Sequence, residues 1–353
     1  MKIVIVGFPF SGRTSLFTAI SGLSGDNISR TAENVAAVKV PEPRLAWLAE
    51  HFKPRKYTEA VITFVDLPGS VEGESEHAGL TRHLPTLRQA DALLLVLRGF
   101  ESDSVPAHKD RIDPAADLAM LRDEMLLADL EICDERVKKL EKAVTRPSKT
   151  REHDAHELKL LRQCREALEA EKPLATIIQP GEEEKMLRGF GFLTQKRSIC
   201  AVNVGEKGIG VEPPLVDEHS LVTFAVCASV EADIIELSAE ERPEFMADYN
   251  ITVLARDRMI QASLDALGMI SFYTVGEDEV RAWPIPRGTP AVEAAGKIHS
   301  DLERGFIRAE VVSYEDFHAA GDMRAAKTAG KVRQEHKGYV VQDGDIINIK
   351  FNV

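Results

Sequence analysis

The sequence predicts an α/β protein whose mostly parallel sheet is interrupted by an inserted helical hairpin and followed by a small α+β domain. Three observations carry that reading. Short runs of apolar, often β-branched residues recur through the first 270 residues, each bounded by a polar residue or glycine and separated by helix-length segments, which is the pattern of strands buried on both faces. Between Asp113 and Lys172 no strand run occurs, and the apolar residues step with helical spacing. From Ile270 onward the runs become β-rich again and turn signals intervene.

In chain order, Ile3–Val6 ends at Gly7, Val61–Val65 stops at Asp66, and Ala92–Leu97 follows Asp91. Ile199–Val202 then stops at Asn203, and Leu221–Val226 stops at Cys227. Polar residues therefore gather just past strand ends, where ligands bind in open α/β sheets. Leu118, Leu121, Met125, Ala128 and Ile132 form a narrow helical stripe; Arg146-Pro-Ser-Lys149 breaks it, and Leu158, Leu161 and Leu168 resume one face. Two antiparallel helices are expected there. A further helix is expected at about 253–267, strands at Ile270–Val275 and Ile346–Phe351, and a hairpin-like turn at Val340–Asp345. The expected division is a discontinuous parallel-sheet domain at 1–112 and 173–269, the hairpin at 113–172, and a C-terminal domain at 270–353.

The length, 353 residues, suits two to two and a half domains at roughly 150 residues each. Hydrophobic residues are 44% and charged residues 29%, so the chain can bury sizeable cores. Lys plus Arg is 44 against 57 Asp plus Glu, a net −13, which excludes a whole-surface grip on DNA or anionic lipid and leaves only local patches for such contacts. Cys133, Cys164, Cys200 and Cys227 are widely spaced with no C-x-x-C, which argues against a zinc module or a disulfide framework. No apolar run nears the ~20 residues of a membrane span, and a reduced, cytoplasmic protein is expected.

Gly7-Phe-Pro-Phe10-Ser11-Gly12-Arg13-Thr14-Ser15 follows the first strand and opens a helix, the context that the phosphate-loop pattern G-x-x-x-x-G-K-[ST] requires. Glycines let backbone N–H groups turn around phosphate oxygens, the helix N-terminus adds partial positive charge, and the Thr14 hydroxyl is placed to ligate Mg²⁺. Only the lysine is missing. Arg13 keeps its charge but substitutes a planar, bidentate group for a compact one. Asp66-Leu-Pro-Gly69 matches D-x-x-G, whose Asp holds Mg²⁺ through water and whose Gly N–H senses the γ-phosphate. Asn203-Val-Gly-Glu206 and Cys227-Ala228-Ser229 fall where nucleotide-binding G domains carry N-K-x-D and S-A-K. Together and in this order the four motifs specify a nucleotide site.

At these residues the sequence resembles the YchF/Obg-like ATPase family of translation-factor-class P-loop NTPases, as a divergent member. The resemblance extends through Val40–Leu45, the helical insert, Glu182–Lys185 and Glu244–Asp248. It is closest in Val280–Trp283, Ala295–His299, Glu303–Arg308 and Asp343–Asp345, which look like that family's TGS domain, a β-grasp fold. The resemblance implies a three-part protein that binds ATP or GTP with Mg²⁺, hydrolyses it slowly and associates with ribosomes. The chain departs from the family at three points: Arg13 for the loop lysine, Ser70 for the hydrophobic residue after D-x-x-G, and Leu95 for a strand histidine used in hydrolysis. Arg13 and Ser70 are the candidate catalytic positions, and turnover is expected to be impaired. The switch threonine, a second Mg²⁺ ligand, is Thr31 if a one-residue shift is allowed and is replaced by Arg30 if it is not.

Base choice rests on Asn203 and Glu206. Glutamate is a methylene longer than the aspartate that pairs with guanine N1–H and N2–H₂, and the resemblance associates N-x-x-E with adenine. Residues 270–353 carry 11 Lys plus Arg against 13 Asp plus Glu, but Arg324, Lys327 and Lys331 step by 3 and 4, placing three cations on one helix face; this face and the helical hairpin are the candidate contacts for the ribosome or its RNA. The expected function is an ATP-preferring nucleotide switch. Its alternative is a binding protein without turnover, or an RNA- or ribosome-binding adaptor.

Overall fold

The structure, a computed structural model, describes residues 1–352 except 24–26, 70–77, 180, 214 and 216–219. Twelve strands are formed among the described residues: β1 Lys2–Val6, β2 Asn34–Lys39, β3 Lys56–Thr58, β4 Val61–Asp66, β5 Ala92–Gly99, β6 Arg197–Val204, β7 Ser220–Val226, β8 Met269–Thr274, β9 Glu279–Pro286, β10 Phe306–Ser313, β11 Arg333–Glu335 and β12 Asp345–Phe351. The chain divides into two compact units, residues 1–38 with 63–263 and residues 39–62 with 264–353.

The first unit is built on a six-stranded sheet of order β2-β4-β1-β5-β6-β7. The pairs β1–β4, β1–β5, β5–β6 and β6–β7 are all parallel, so five strand ends point to one edge. Ile3, Val4 and Ile5 are fully buried, as the unbroken apolar run requires. One sheet face packs Val6, Val65, Leu93, Leu95, Leu97 and Val202 against Leu87 and the helix Pro114–Ala143 through Leu118, Leu121 and Met125. Covering both faces leaves Gly7, Asp66, Asn203 and Cys227 grouped at the C-terminal edge.

The hairpin consists of Pro114–Ala143 and Arg151–Glu169. Asp113 caps the first helix, accepting the Ala116 N–H at 3.0 Å, with Pro114 in the first turn. Its buried stripe runs through Leu118, Leu121 and Met125 as the sequence indicates, then continues through Asp129, Cys133, Val137 and Leu140 rather than Ala128 and Ile132. The stripe moves by one position because its partner changes. Leu118 to Met125 face the sheet core, whereas Cys133 to Leu140 pack on Leu158, Leu161 and Leu168 of the second helix. Arg136 binds Glu157 with a two-pronged pair at 2.7 and 2.8 Å across the hairpin.

Asp129 joins hairpin to sheet. It is fully buried and accepts the Leu193 and Thr194 N–H groups at 2.9 and 2.8 Å and the Thr194 hydroxyl at 2.8 Å, with Arg88 3.6 Å away. Burial raises its pKa, and the backbone and hydroxyl donors with Arg88 act against that rise.

The second unit carries a mixed sheet of order β11-β10-β12-β8-β9-β3. β8–β9 and β10–β12 are antiparallel, while β12 lies parallel to β8, the arrangement of a β-grasp. The helix Ala291–Ile298 buries Ala291 and Ala294 against Ile270, Phe272, Trp283, Val311 and Ile347. Residues 39–62, which the sequence reading assigned to 1–112, cluster with this unit. β3 runs parallel to β9, Thr58 Oγ1 donates to Glu279 at 2.6 Å, and Arg44 binds Asp343 at 2.8 Å. Nothing local in 39–62 distinguishes a strand of one sheet from an edge strand of another. The hairpin-like turn expected at Val340–Asp345 also resolves differently. Val340 makes only an isolated bridge to Pro290, and Asp345 closes the turn by accepting the Gln342 N–H at 2.9 Å.

The three cations do not share one helix face. The helix Met323–Thr328 ends before Gly330, whose φ is +68°, so Lys331 lies beyond it. Lys331 pairs with Asp316 at 3.0 Å and Lys327 lies 3.9 Å from Glu310, leaving Arg324 as an exposed cation of the set.

Replacing Asp129 by Ala strands three buried donors and should cost about 3 kcal/mol. A chemical-denaturation midpoint within error of the parent would show that the anchor contributes nothing.

Candidate nucleotide site

Val6 ends β1 at the centre of the sheet, and the chain turns through Gly7–Gly12 into the helix Arg13–Ser21. Two glycines are required by close approach. A Cβ on Gly7 would strike the Val96 carbonyl and lie 2.8 Å from Ser11 Oγ. Gly12 has φ +90° and a Cβ there would collide with Asn203 Nδ2. The residue excluding a side chain at Gly12 is thus Asn203. Phe10 also adopts the left-handed region, φ +64°, and is 57% exposed. Ser11 closes the turn, donating its N–H to Phe8 O at 3.2 Å.

Thr14 is exposed at the helix start and its hydroxyl donates to Asp66 Oδ2 at 2.9 Å. Asp66 is 1% exposed, and its Oδ1 is buried with no hydrogen-bond partner among the described residues. Burial raises the Asp66 pKa; Arg13, Thr14 and Asn34 oppose it. Arg13, half-buried, has its pKa lowered by burial against the raising effect of Asp66. A buried carboxylate oxygen without a donor, beside a hydroxyl already on its sister oxygen, is the donor set that a hard divalent cation takes.

Asn34, which sequence reasoning missed, reaches the same carboxylate: its Nδ2 donates to Asp66 Oδ2 at 3.3 Å and to Ser29 O at 2.9 Å. The only signal was a polar residue opening the apolar run Val35–Val38. Thr31 and Arg30 are both exposed, and the Thr31 N–H donates to Ser29 Oγ at 3.3 Å. Neither reaches Asp66 among the described contacts. Gly69 is exposed at the end of D-x-x-G, and Ser70 lies outside the described residues. His83, also missed, is half-buried and hydrogen-bonded to the Pro68 backbone; burial lowers its pKa and the positive charges of Arg13 and Arg82 add to that.

Asn203 is spent on scaffolding. Its Nδ2 donates to Ser11 O at 3.0 Å and its Oδ1 accepts the Ala228 N–H at 3.1 Å, tying the loop to the start of the helix Ala228–Glu236. Ser229 is exposed in that first turn, its Oγ 3.5 Å from Cys227 Sγ. Glu206 opens a 3₁₀ turn, Glu206–Gly208, and is exposed, with its charge raising the pKa of the Tyr249 phenol. Ser15 is exposed, whereas Leu95 is fully buried in the apolar core beside Val6 and Leu87, a place hostile to an imidazole.

A phosphate-binding turn at the central strand, with polar motifs on successive parallel strand ends, defines a P-loop nucleotide-binding protein of the G-domain class. Comparison with known proteins agrees. Residues 2–127 match a family described as 50S ribosome-binding GTPase, and residues 269–352 match the YchF-GTPase C-terminal family, described as a protein of unknown function. The chain is 38% identical to "Ribosome-binding ATPase YchF" of Bacillus subtilis over 99% of its own length and 98% of the relative's. It is 38% identical to the protein of that name from Escherichia coli O157:H7, over 100% and 99%. It superposes on the Schizosaccharomyces pombe YchF GTPase with a TM-score of 0.83 and 27% identity, covering 99% of this chain and 97% of that one. The chain belongs to the YchF family.

Gly12→Ala should displace Asn203 and abolish nucleotide binding while also lowering the thermal midpoint, because one clash disturbs the loop and the Ala228 helix together. Calorimetry showing parental affinity in that variant would refute this geometry.

Proposed function

We propose that the protein is a nucleotide switch that binds ATP in preference to GTP at Gly7–Ser15, turns it over slowly, and acts on the ribosome. The observation that carries the reading is the coupling of the phosphate loop to Asp66 through Thr14 Oγ1 at 2.9 Å. Mg²⁺ held by Thr14 and, through water, by Asp66 would supply charge neutralisation for the β- and γ-phosphates. The chain's own residues do the rest. The loop amides and the helix start orient the phosphates, Arg13 offers a bidentate cation, and Gly69 stands three residues past the end of the strand that carries Asp66. Loading the γ-phosphate side of this site is expected to shift Gly69 and the Ser29–Asn34 segment around Asp66 and so report the nucleotide state.

Turnover is weak on this reading because electrostatic positioning supplies most phosphoryl-transfer catalysis. Arg13 is longer and flatter than lysine, and Leu95 is a core residue where the family's resemblance puts a histidine. The ribosome enters through the printed function of the relatives, ribosome-binding ATPases. Arg324 is an exposed cation on the second unit suited to such a contact. Adenine preference is supported by Glu206, exposed at the end of N-x-x-E, one methylene too long for the guanine contact.

Purified protein titrated with ATP and GTP should favour ATP modestly, and Glu206→Asp should shift the ratio toward GTP. Tighter GTP binding by the parent would overturn the adenine assignment. Arg13→Lys should raise the single-turnover hydrolysis rate more than it changes affinity, since a compact cation matters most as charge moves to the leaving oxygen. Parental turnover already near ~1 per second, the range of efficient phosphoryl-transfer enzymes, would show Arg13 to be no handicap.

A further inference from the structure

We propose that Arg98 is a positioning residue of the phosphate loop, working in a pair with Asn203 to preset the loop's anion-binding amides. The inference rests on the reading that Gly7–Ser15 binds nucleotide. Arg98 and Asn203 are register partners on the parallel pair β5–β6. Each reaches back to the loop and grips one of two consecutive carbonyls. Asn203 Nδ2 donates to Ser11 O at 3.0 Å, and Arg98 Nη1 donates to Phe10 O at 3.4 Å.

The remaining donors of Arg98 fix the segment after β5. Nη1 also donates to Pro106 O at 2.7 Å, Nη2 to Val105 O at 2.8 Å and Nε to Phe100 O at 3.1 Å, with the Phe100 ring 4.4 Å from the guanidinium carbon. Arg98 is 2% exposed. Its partners are carbonyls and a ring, and no carboxylate pairs with it among the described residues. An arginine cannot shed its proton to escape burial. A buried cation without a counter-ion is costly, and carbonyl dipoles repay only part of that cost. A ligand anion beside the loop would supply the missing charge across a poorly screened gap.

The carbonyl grip has a directional consequence. A trans peptide points its C=O and N–H in opposite directions, so drawing the Phe10 and Ser11 carbonyls toward the sheet turns the Ser11 and Gly12 N–H groups away from it. The Ser11 N–H closes the turn on Phe8 O at 3.2 Å. The Gly12 N–H has no acceptor among the described residues and is the group presented to phosphate. Phe10, held at φ +64° without a glycine's freedom, is the point in the loop that most needs an external restraint, and Arg98 provides it.

The test is calorimetric competition with ATP, ADP and AMP, using the full chain and its Arg98→Met and Arg98→Lys variants. Arg98→Met should weaken ATP and ADP at least tenfold and AMP no more than about twofold, because the loop cradles the phosphates beyond the first. Equal losses for all three nucleotides, or none, would overturn the proposal by showing a general structural role. If Arg98→Met fails to fold, Arg98→Lys decides the matter. It keeps the charge without the fork and should lie between parent and tenfold loss, still selective for ATP and ADP; full parental affinity would overturn the carbonyl grip. A parent chain that binds no nucleotide would sink the nucleotide reading itself, and is told apart by its own titration.

Discussion

The nucleotide edge of this molecule depends on one side-chain amide. Asn203 binds Ser11 O with its NH₂ and the Ala228 N–H with its carbonyl, so three segments distant in sequence are locked by two hydrogen bonds. Each bond contributes only about 1 kcal/mol in net terms, but a buried amide missing either partner costs more than it ever gained. That asymmetry makes the junction all-or-none. It also explains why Gly12 has no side chain, why the helix after β7 begins where it does, and why the loop keeps its shape although Ser11 Oγ is buried inside it with no partner among the described residues.

Charge is placed against the overall balance. The chain carries a net −13, yet Arg98 donates to the phosphate loop and Arg13 stands at its end, where Asp66, the carboxylate that interacts with Arg13, keeps one oxygen without a donor among the described residues. A local positive field inside an acidic protein favours a multiply charged anion paired with a cation over adventitious polyanions. Binding and turnover then separate naturally. Backbone amides and arginines suffice to hold phosphates, while transition-state stabilisation needs groups whose position is matched to moving charge.

The helical insert shows how a long helix can serve two cores. Leu118 to Met125 belong to the sheet and Cys133 to Leu140 to the second helix, with Asp129 accepting three donors at the crossing point. A buried carboxylate this well satisfied fixes the register of the helix against the sheet more sharply than apolar packing alone, since a slip of one residue would leave every donor unpaired. In the second unit, Arg44 plays a comparable part, bound to Glu42 at 2.9 Å and to Asp343 at 2.8 Å, which pins the helix Pro43–Phe52 to the turn before β12.

The parallel strands, the helical pair, the phosphate loop and the ordered motifs at Asp66, Asn203 and Cys227 were legible in the sequence, because each is a local signal: an unbroken apolar run, a 3-4 spacing, a glycine-rich turn. What the tertiary structure decided depends on partners that sequence proximity does not reveal. Asn34 met Asp66 and Arg98 met the Phe10 carbonyl only when β2 and β5 were placed in the sheet, since a polar residue inside or at the end of a strand has no local signature of what it will face. The stripe shift from Ala128 to Asp129 followed from a change of packing partner midway along one helix. Lys331 left the supposed basic face because Gly330 adopted a left-handed turn, and Lys56–Thr58 joined the C-terminal sheet by pairing with β9. Local periodicity fixes which side of an element is buried; only the assembled fold fixes against what, and therefore which polar atoms meet.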